Sequence, residues 1–515
     1  MQLSHNPFRP LRSATGGWPF APLAAFWVCA GCAAAAPPVL PEIARDVPAS
    51  FTESPATSGH EALEWWRAFT DPVLDEVIEA VLASNFDLSE ALARVQQARV
   101  RGRLAKAVIL PGVQARAGVD TFDAPTNAGI GAQLRDLGLD EALENTFEGV
   151  TLPDRLGLTS WTVGADFAYE LDLWDRLRHA SLAAGAELLA SESDAQTVRI
   201  GILAETITAY FDIVDARRQI AIGRESLALL EERERLAATR YERGLTDWLA
   251  LDRARDEQRD AQARLPQLDS RLAEAEGRLA VLLGGYHGDV AGILPGALAP
   301  APVAEPVPPG VPADLLLQRP DVQAAERRLQ AAGHDVEARR AELMPSLSFS
   351  GSIGLQSINA AGLFNVQQWF GNLLANLLVP VFDGDRLAAN VALAHARFDE
   401  LAAAYGRTVV SAVNEVEAAL AELRNESRRR ALLAARRDEA QEARDLRMRQ
   451  YASGLSGYAD LLDASRALLR VESALAGAER DLALARLAVH RALGGAWTAP
   501  DPACSAADRV ARSAE

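Results

Sequence analysis

The sequence predicts a mainly helical α+β protein made of two similar halves, each holding a pair of short strands between long helices. Three observations lead there. Tyr241-Glu242-Arg243-Gly244-Leu245-Thr246 returns as Tyr451-Ala452-Ser453-Gly454-Leu455-Ser456, and Asp175-Arg176 returns as Asp385-Arg386, both 210 residues on. Asp87 and Pro111 match Asp321 and Pro345 at an offset of 234, so the first copy holds 24 extra residues between Pro111 and Arg176. Each copy then reads helix, strand, loop, strand, very long helix, turn, helix.

Residues 33 to 60 are rich in Pro, Ala and Ser and form an extended lead-in to Trp65-Trp66. Asp71 is placed to cap a helix whose first residue is Pro72, and that helix is expected to run to about Leu110 before Pro111-Gly112. From Val113 the apolar period changes to two: Val113, Ala115, Ala117 and Val119 alternate with Gln114, Arg116, Gly118 and Asp120. An acidic, Gly-rich loop is expected from about 123 to 158. The return strand puts Trp161, Val163, Ala165, Phe167, Tyr169 and Leu171 on one face and Thr162, Gly164, Asp166, Ala168, Glu170 and Asp172 on the other. In the second copy Leu347, Phe349, Gly351 and Ile353 oppose Ser346, Ser348, Ser350 and Ser352, and a less regular strand is expected around Asn372 to Phe382.

Arg176 to Tyr241 and Arg386 to Tyr451 contain no Pro and few Gly. Each stretch would make a helix of roughly 100 Å at about 1.5 Å per residue. Leu203, Ile207, Tyr210 and Val214 recur at spacings of three and four, as coiled-coil packing requires. Gly244 and Gly454 follow these helices and are expected at positive φ, which Gly adopts cheaply. Return helices should end near Leu283 and Leu493, with Pro266 kinking the first.

Composition narrows the function classes. The net charge of −18 argues against a nucleic-acid partner, which needs a basic footprint. No run of about 20 apolar residues occurs past residue 35, so no helix is expected to span a membrane. The seven His, at 5, 60, 179, 287, 334, 395 and 490, form no i, i+4 pair with His or Cys, and no zinc site is read. With no phosphate loop or nucleophile elbow either, an enzyme and a cofactor are not expected.

The first 31 residues have the form of a secretory signal, with Arg9 and Arg12 ahead of the short apolar stretch Trp18 to Val28. Cys29-Ala30-Gly31-Cys32 resembles a bacterial lipobox, which would make Cys32 the lipidated first residue; a plain cleavage site near residue 36 is the other reading. Residues 1–31 are thus assigned to the signal, 32–72 to an anchored extended segment, 73–290 to the first repeat, 291–318 to a Pro-rich linker, 319–497 to the second repeat and 498–515 to a disordered tail. The mature chain keeps Cys32 and Cys504, too few for a disulfide framework.

Four short strands with one apolar and one polar face leave two raw edges and cannot close a barrel alone, since about eight strands are needed for a filled one. Copies of the chain must therefore share a sheet. An apolar outside and a polar inside is the pattern of a membrane barrel with a wet lumen, and about ten residues per strand suffices to cross a bilayer. The plainer alternative is a β-tip on a soluble coiled coil.

The tandem copies, the strand pairs between long helices, Trp65-Trp66 with Asp71-Pro72, Arg319-Pro320-Asp321 and the Tyr-x-x-Gly turns resemble the TolC-type outer membrane factor family, and the lipobox resembles its lipoprotein branch. The resemblance covers nearly all of residues 60 to 497. It implies a homotrimer whose four strands per protomer complete a shared twelve-stranded barrel in the outer membrane, above a periplasmic α-helical barrel. It also implies an exit duct of a tripartite efflux system, served by a periplasmic adaptor and an inner-membrane transporter. A type I secretion duct and a poreless periplasmic scaffold are the rival readings.

On that resemblance, Trp161, Val163, Phe167 and Tyr169 would face outer-membrane lipid, and the turns at Tyr241-Gly244 and Tyr451-Gly454 would meet the adaptor. Asp460 and Asp463 share a helix face and would form a carboxylate ring at the periplasmic entrance; the other reading is two carboxylates favoured by a helix N-terminus. Where some members place a latch Arg this chain has Ser456, which leaves Arg447 or Arg449 to tie the closed state.

Overall fold

The computed structural model describes residues 65–125, 132–133, 136–138, 155–296 and 318–495. The signal, Cys32, most of the long loop, the centre of the linker, and the tail with Cys504 lie outside them. A 3₁₀ turn, Trp65–Phe69, leads into helices α1 (Pro72–Ser84) and α2 (Phe86–Ala107), then strands β1 (Gly112–Pro125) and β2 (Arg155–Leu171). Helices α3 (Arg176–Glu242), α4 (Trp248–Leu282) and the short α5 (His287–Ile293) complete the first repeat. The second holds α6 (Pro320–Ala341), β3 (Ser346–Ser357), β4 (Trp369–Leu378), α7 (Arg386–Ala452) and α8 (Tyr458–Ala492).

The duplication is carried into the geometry. Helices α3 and α7 are both 67 residues long and α4 and α8 both 35. Both long helices start from an aspartate in the left-handed region, Asp175 at φ 56° and Asp385 at φ 64°. Neither aspartate caps its own helix; Asp172 accepts from Leu177 and Arg178 N–H groups, and Asp383 from that of Leu387. Pro266 lies inside α4, which continues through it.

Three sequence expectations need correction: β4 spans Trp369–Leu378 and not Asn372 to Phe382, and the other two concern the first helix and the first hairpin. The single helix from Pro72 is two helices, because Asn85 takes an extended conformation, caps α2 through Leu88 N–H at 2.9 Å, and donates its amide to Leu282 O at 2.9 Å. Strands β1 and β2 also reach further than ten residues, to 14 and 17. Beyond Asp120 the apolar residues Phe122 and Leu158 are paired on the opposite face from Val119 and Trp161, so the alternation seen in sequence is interrupted while the strand goes on.

The main core gathers where the lead-in turn and α1 pack against α3, α4 and α8. Trp65, Trp66, Phe69, Leu74, Ile78, Tyr210, Phe211, Leu279 and Leu487 are buried in it. Asp71 accepts from the N–H groups of Val73 and Leu74, and the buried Tyr210 hydroxyl donates to its other oxygen at 2.6 Å. Burial, followed by that bond to an anion, pushes the Tyr210 phenol far above its ordinary range. Among the described residues no helix is long and apolar enough to cross a membrane, which leaves the strands to be considered.

Candidate pore: one sheet face and two helical tips

The four strands form one antiparallel sheet in the order β1-β2-β3-β4. Its register places Val113 beside Phe167, Phe167 beside Gly351, and Gly351 beside Leu373. Directly opposed residues share a face, so Trp161, Val163, Phe167 and Tyr169 join Val113 and Val119, Phe349 and Ile353, and Trp369, Leu373 and Leu377 in one apolar surface. The Phe167 ring lies over Gly351, where an added Cβ would come within 2.5 Å of it.

This surface has limits. Past Trp161 the same face of the β1–β2 hairpin carries Thr121, Asp123, Thr159 and Arg155, and Arg155 donates to Asp123 at 3.1 Å. Trp161 and Tyr169 stand near its two ends, as aromatic residues do at membrane interfaces. The run from Trp161 to Leu171 spans about 33 Å of strand, which at a tilt of about 40° stands about 25 Å tall, the height of a lipid-facing band.

The opposite face carries Gln114, Arg116, Thr162, Asp166, Glu170, Ser348, Ser350, Ser352, Asn372 and Asn376. Arg116 stands 3.7 Å from Asp166, while Glu170 is held by Arg176 at 2.8 Å at the foot of α3. Strand β4 departs from the pattern by placing Phe370, Leu374 and Leu378 on this face as well, which is why its alternation reads poorly in sequence.

At the far end of the long helices the two turns are copies of each other. Gly244 and Gly454 sit at φ 69° and 71°. Leu245 N–H donates to Arg240 O and Gly244 N–H to Tyr241 O; Leu455 to Gln450 and Gly454 to Tyr451 repeat the pattern. This is a Schellman motif, in which the residue after the glycine normally packs on the third-last helical residue. Here those residues are Arg240 and Gln450, and Leu245 and Leu455 project into solvent, 71% and 82% exposed. Tyr241 packs edge-on against Trp248, and Tyr451 lies against Tyr458.

Asp460 and Asp463 sit in the first turns of α8 and hold different partners. Asp460 is fully exposed and accepts from the Ser456 hydroxyl at 2.9 Å and Gly457 N–H at 3.1 Å. The Ser456 hydroxyl, then the Gly457 amide, hold its carboxyl below the usual range. Arg447 donates to Gln450 and touches neither carboxylate. Asp463 is bound instead by Arg233 of α3, Nη1 to Oδ1 at 2.8 Å. Arg233 also reaches Glu257 of α4 at 3.3 Å, Arg466 of α8 reaches Glu257 at 2.8 Å, and Arg466 stands 4.0 Å from Asp463. Four alternating charges thus form a closed ring across three helices and both repeats. Sequence reading missed Arg233 and Glu257, since neither position is charged alike in the other copy: their counterparts are Ala443 and Ala467.

His179 and His334, 155 residues apart, also meet, Nδ1 to Nδ1 at 3.2 Å between α3 and α6. Among the described residues no group of three or more His, Cys, Asp or Glu is disposed to hold a metal ion.

A family model described as outer membrane efflux protein matches residues 77–285 and 311–495. The chain is 31% identical to the pyoverdine export outer membrane protein OpmQ of Pseudomonas putida, over 90% of this chain and 95% of that protein. It is 28% identical to the probable outer membrane lipoprotein SilC of Salmonella typhimurium, over 92% and 98%. Among solved structures it resembles the outer-membrane channel OprN, with a TM-score of 0.75 and 28% identity over 87% of this chain and 96% of that one.

Proposed function

Because the chain belongs to the outer membrane efflux protein family, whose members are channels of the outer membrane, we propose that three copies of it form the passive exit duct of a tripartite pump. The observation that carries the assembly is the sheet itself, with one apolar face, one mostly polar face and, among the described residues, two unpaired edges at the end of 67-residue helices. Sharing strands removes the edges, turns the apolar face to lipid and encloses the polar face around water. The helices carry the conduit into the periplasm.

In this reading Trp161, Val163, Phe167 and Tyr169 contact outer-membrane lipid, and Cys32 carries acyl chains that add anchoring to the barrel. The exposed Leu245 and Leu455, beside Tyr241, Gly244, Tyr451 and Gly454, are the apolar knobs of an adaptor-binding surface. The inner-membrane transporter supplies the energy; the duct itself does no chemistry.

Asp460 and Asp463 divide the work of the entrance. Asp460 has only neutral hydrogen-bond donors in contact and supplies negative charge, so three copies around the axis favour cations. Asp463 is neutralised by Arg233 and ties α8 to α3 in the closed state. Half-exposed ion pairs contribute only about 1 kcal/mol or less each, so such a tie can be undone by a binding partner.

The assembly is tested by light scattering of the detergent-solubilised full-length protein. Three chains per particle is expected; a folded monomer would contradict the reading.

A further inference from the structure

The fold brings the imidazoles of His179 and His334 together at a joint whose packing does not call for them. His179 lies in the first turn of α3, its N–H bonded to Asp175 O, just after β2 hands over to the helix. His334 lies on α6, the helix that leads into β3. Moved by the repeat offsets of 210 and 234, their counterparts are Ala389 of α7 and Val100 of α2. The other copies of these two helices thus hold an alanine and a valine at the equivalent positions, so the repeat itself does not dictate the histidines.

The geometry suits two ligands of one ion. Nδ1 of each ring faces Nδ1 of the other at 3.2 Å. The ring centroids are 5.4 Å apart and the planes are inclined by 38°, so the rings meet edge to edge and both Nδ1 atoms open into the same gap. An ion about 2.0–2.1 Å from each nitrogen, the usual zinc–imidazole distance, would hold them at an angle of about 100°. That lies between the tetrahedral and square arrangements of imidazole-bound divalent ions. Such an ion stands off the line joining the nitrogens and asks each ring for a small turn about χ2, a soft torsion in His. Without an ion, Nδ1–H of one ring donates to Nδ1 of the other. With an ion, that ring carries its proton on Nε2 instead, so both rings stay neutral.

Charge and access agree with a cation. Burial, then the neighbouring His179, hold the His334 imidazole below its ordinary range, which keeps the ring in the neutral form that coordinates. Glu337, one turn further along α6, acts on His334 in the opposite sense, as an anion close to the gap does. Arg340 holds Glu337 at 2.7 Å and reaches His395 of α7 at 2.8 Å. Both histidines are half-buried, so the gap is shielded yet open to water. Among the described residues no third His, Cys, Asp or Glu completes a group with the pair, so water fills the remaining positions.

We infer that His179 and His334 form an exchangeable two-imidazole site for a divalent transition-metal ion of the zinc, nickel or copper(II) type, which ties the start of α3 to α6. An occupied site cross-links the two repeats where the helices meet the sheet. Both ligands belong to one chain, so the site stands or falls independently of the trimeric reading.

The test is titration of zinc chloride into the full-length, detergent-solubilised protein, made without a polyhistidine tag and stripped of metal by a chelator. Calorimetry and thermal melts are the readouts. One zinc ion per chain and a raised thermal midpoint are expected in the parent, since an ion that binds only the folded chain stabilises it. His179→Gln and His334→Gln should each lose both effects while their metal-free midpoints stay close to the parent's. His395→Gln should keep both. No binding by the parent, or equal binding by the parent and both ligand variants, would overturn the site. If either variant fails to fold, acylation of the parent's histidines by diethyl pyrocarbonate decides the matter. Zinc should then protect His179 and His334 and leave His287 reactive, and protection of neither would overturn the assignment.

Discussion

The guanidinium of Arg233, near the end of the first long helix, lies 2.8 Å from the carboxylate of Asp463, at the start of the last helix of the second repeat. Arg233 precedes Tyr241 by eight residues, about 12 Å of helix from the tip, which in the proposed duct would place the contact just inside the entrance. Loss of Arg233 as Ala is expected to raise single-channel conductance and to leave the barrel intact. Asp463→Asn, which breaks the same contact from the other side, should raise conductance likewise, and combining it with Arg233→Ala should add little further. Unchanged conductance in the single variant would show that closure is tied elsewhere.

Asp460 is expected to set ion preference. Asp460→Asn should reduce cation selectivity and block by trivalent cations added from the periplasmic side, with particle size unchanged. If both survive, Asp460 only starts a helix.

The pH dependence of that selectivity follows from the same contacts. A carboxyl held low in the folded protein stays ionised below the usual Asp value of about 3.9, and the stability it lends the helix start is present above that value and is lost as pH falls through the depressed one. Ser456→Ala removes the larger cause, so loss of cation preference on acidification should begin at higher pH than in the parent. Identical titrations of reversal potential would argue against the Ser456 contact.

Tyr210 and Asp71 join the lead-in to the first long helix in the buried core. Tyr210→Phe leaves an Asp71 oxygen without its donor, at a cost of about 1.5–3 kcal/mol for a hydrogen bond to a charged group. A lower thermal midpoint of the solubilised protein is expected, with conductance unaltered. A midpoint equal to the parent's would mean that water replaces the hydroxyl.

Phe167→Arg is expected to cost about 2–4 kcal/mol if the residue lies near the bilayer midplane. Asp166→Asn, on the other face of the same strand, should leave assembly unchanged. Equal yields of the folded oligomer from both variants would contradict the assignment of faces.

Much of this architecture was legible in sequence because the chain says it twice. The 67-residue helices, the Gly244 and Gly454 turns and the apolar face from Trp161 to Leu171 each rest on local periodicity or on a residue with a backbone preference of its own. What was not legible depends on tertiary partners. Asn85 breaks a helix because Leu282 O is there to accept its amide. The ends of β1 and β2 hid behind Phe122 and Leu158, which moved the apolar residues to the other face. The charge ring was read only in half: the Asp460 and Asp463 spacing is local, but Arg233 and Glu257 come from other helices and have no charged counterpart in the second copy.

The most direct test of the central claim is single-channel recording from the purified protein in planar bilayers. Discrete, cation-preferring openings of one unit size, blocked by trivalent cations from the side that the helices enter, are the predicted result. A folded trimer that inserts into the bilayer yet conducts no ions, even with Arg233 replaced by Ala, would contradict the account.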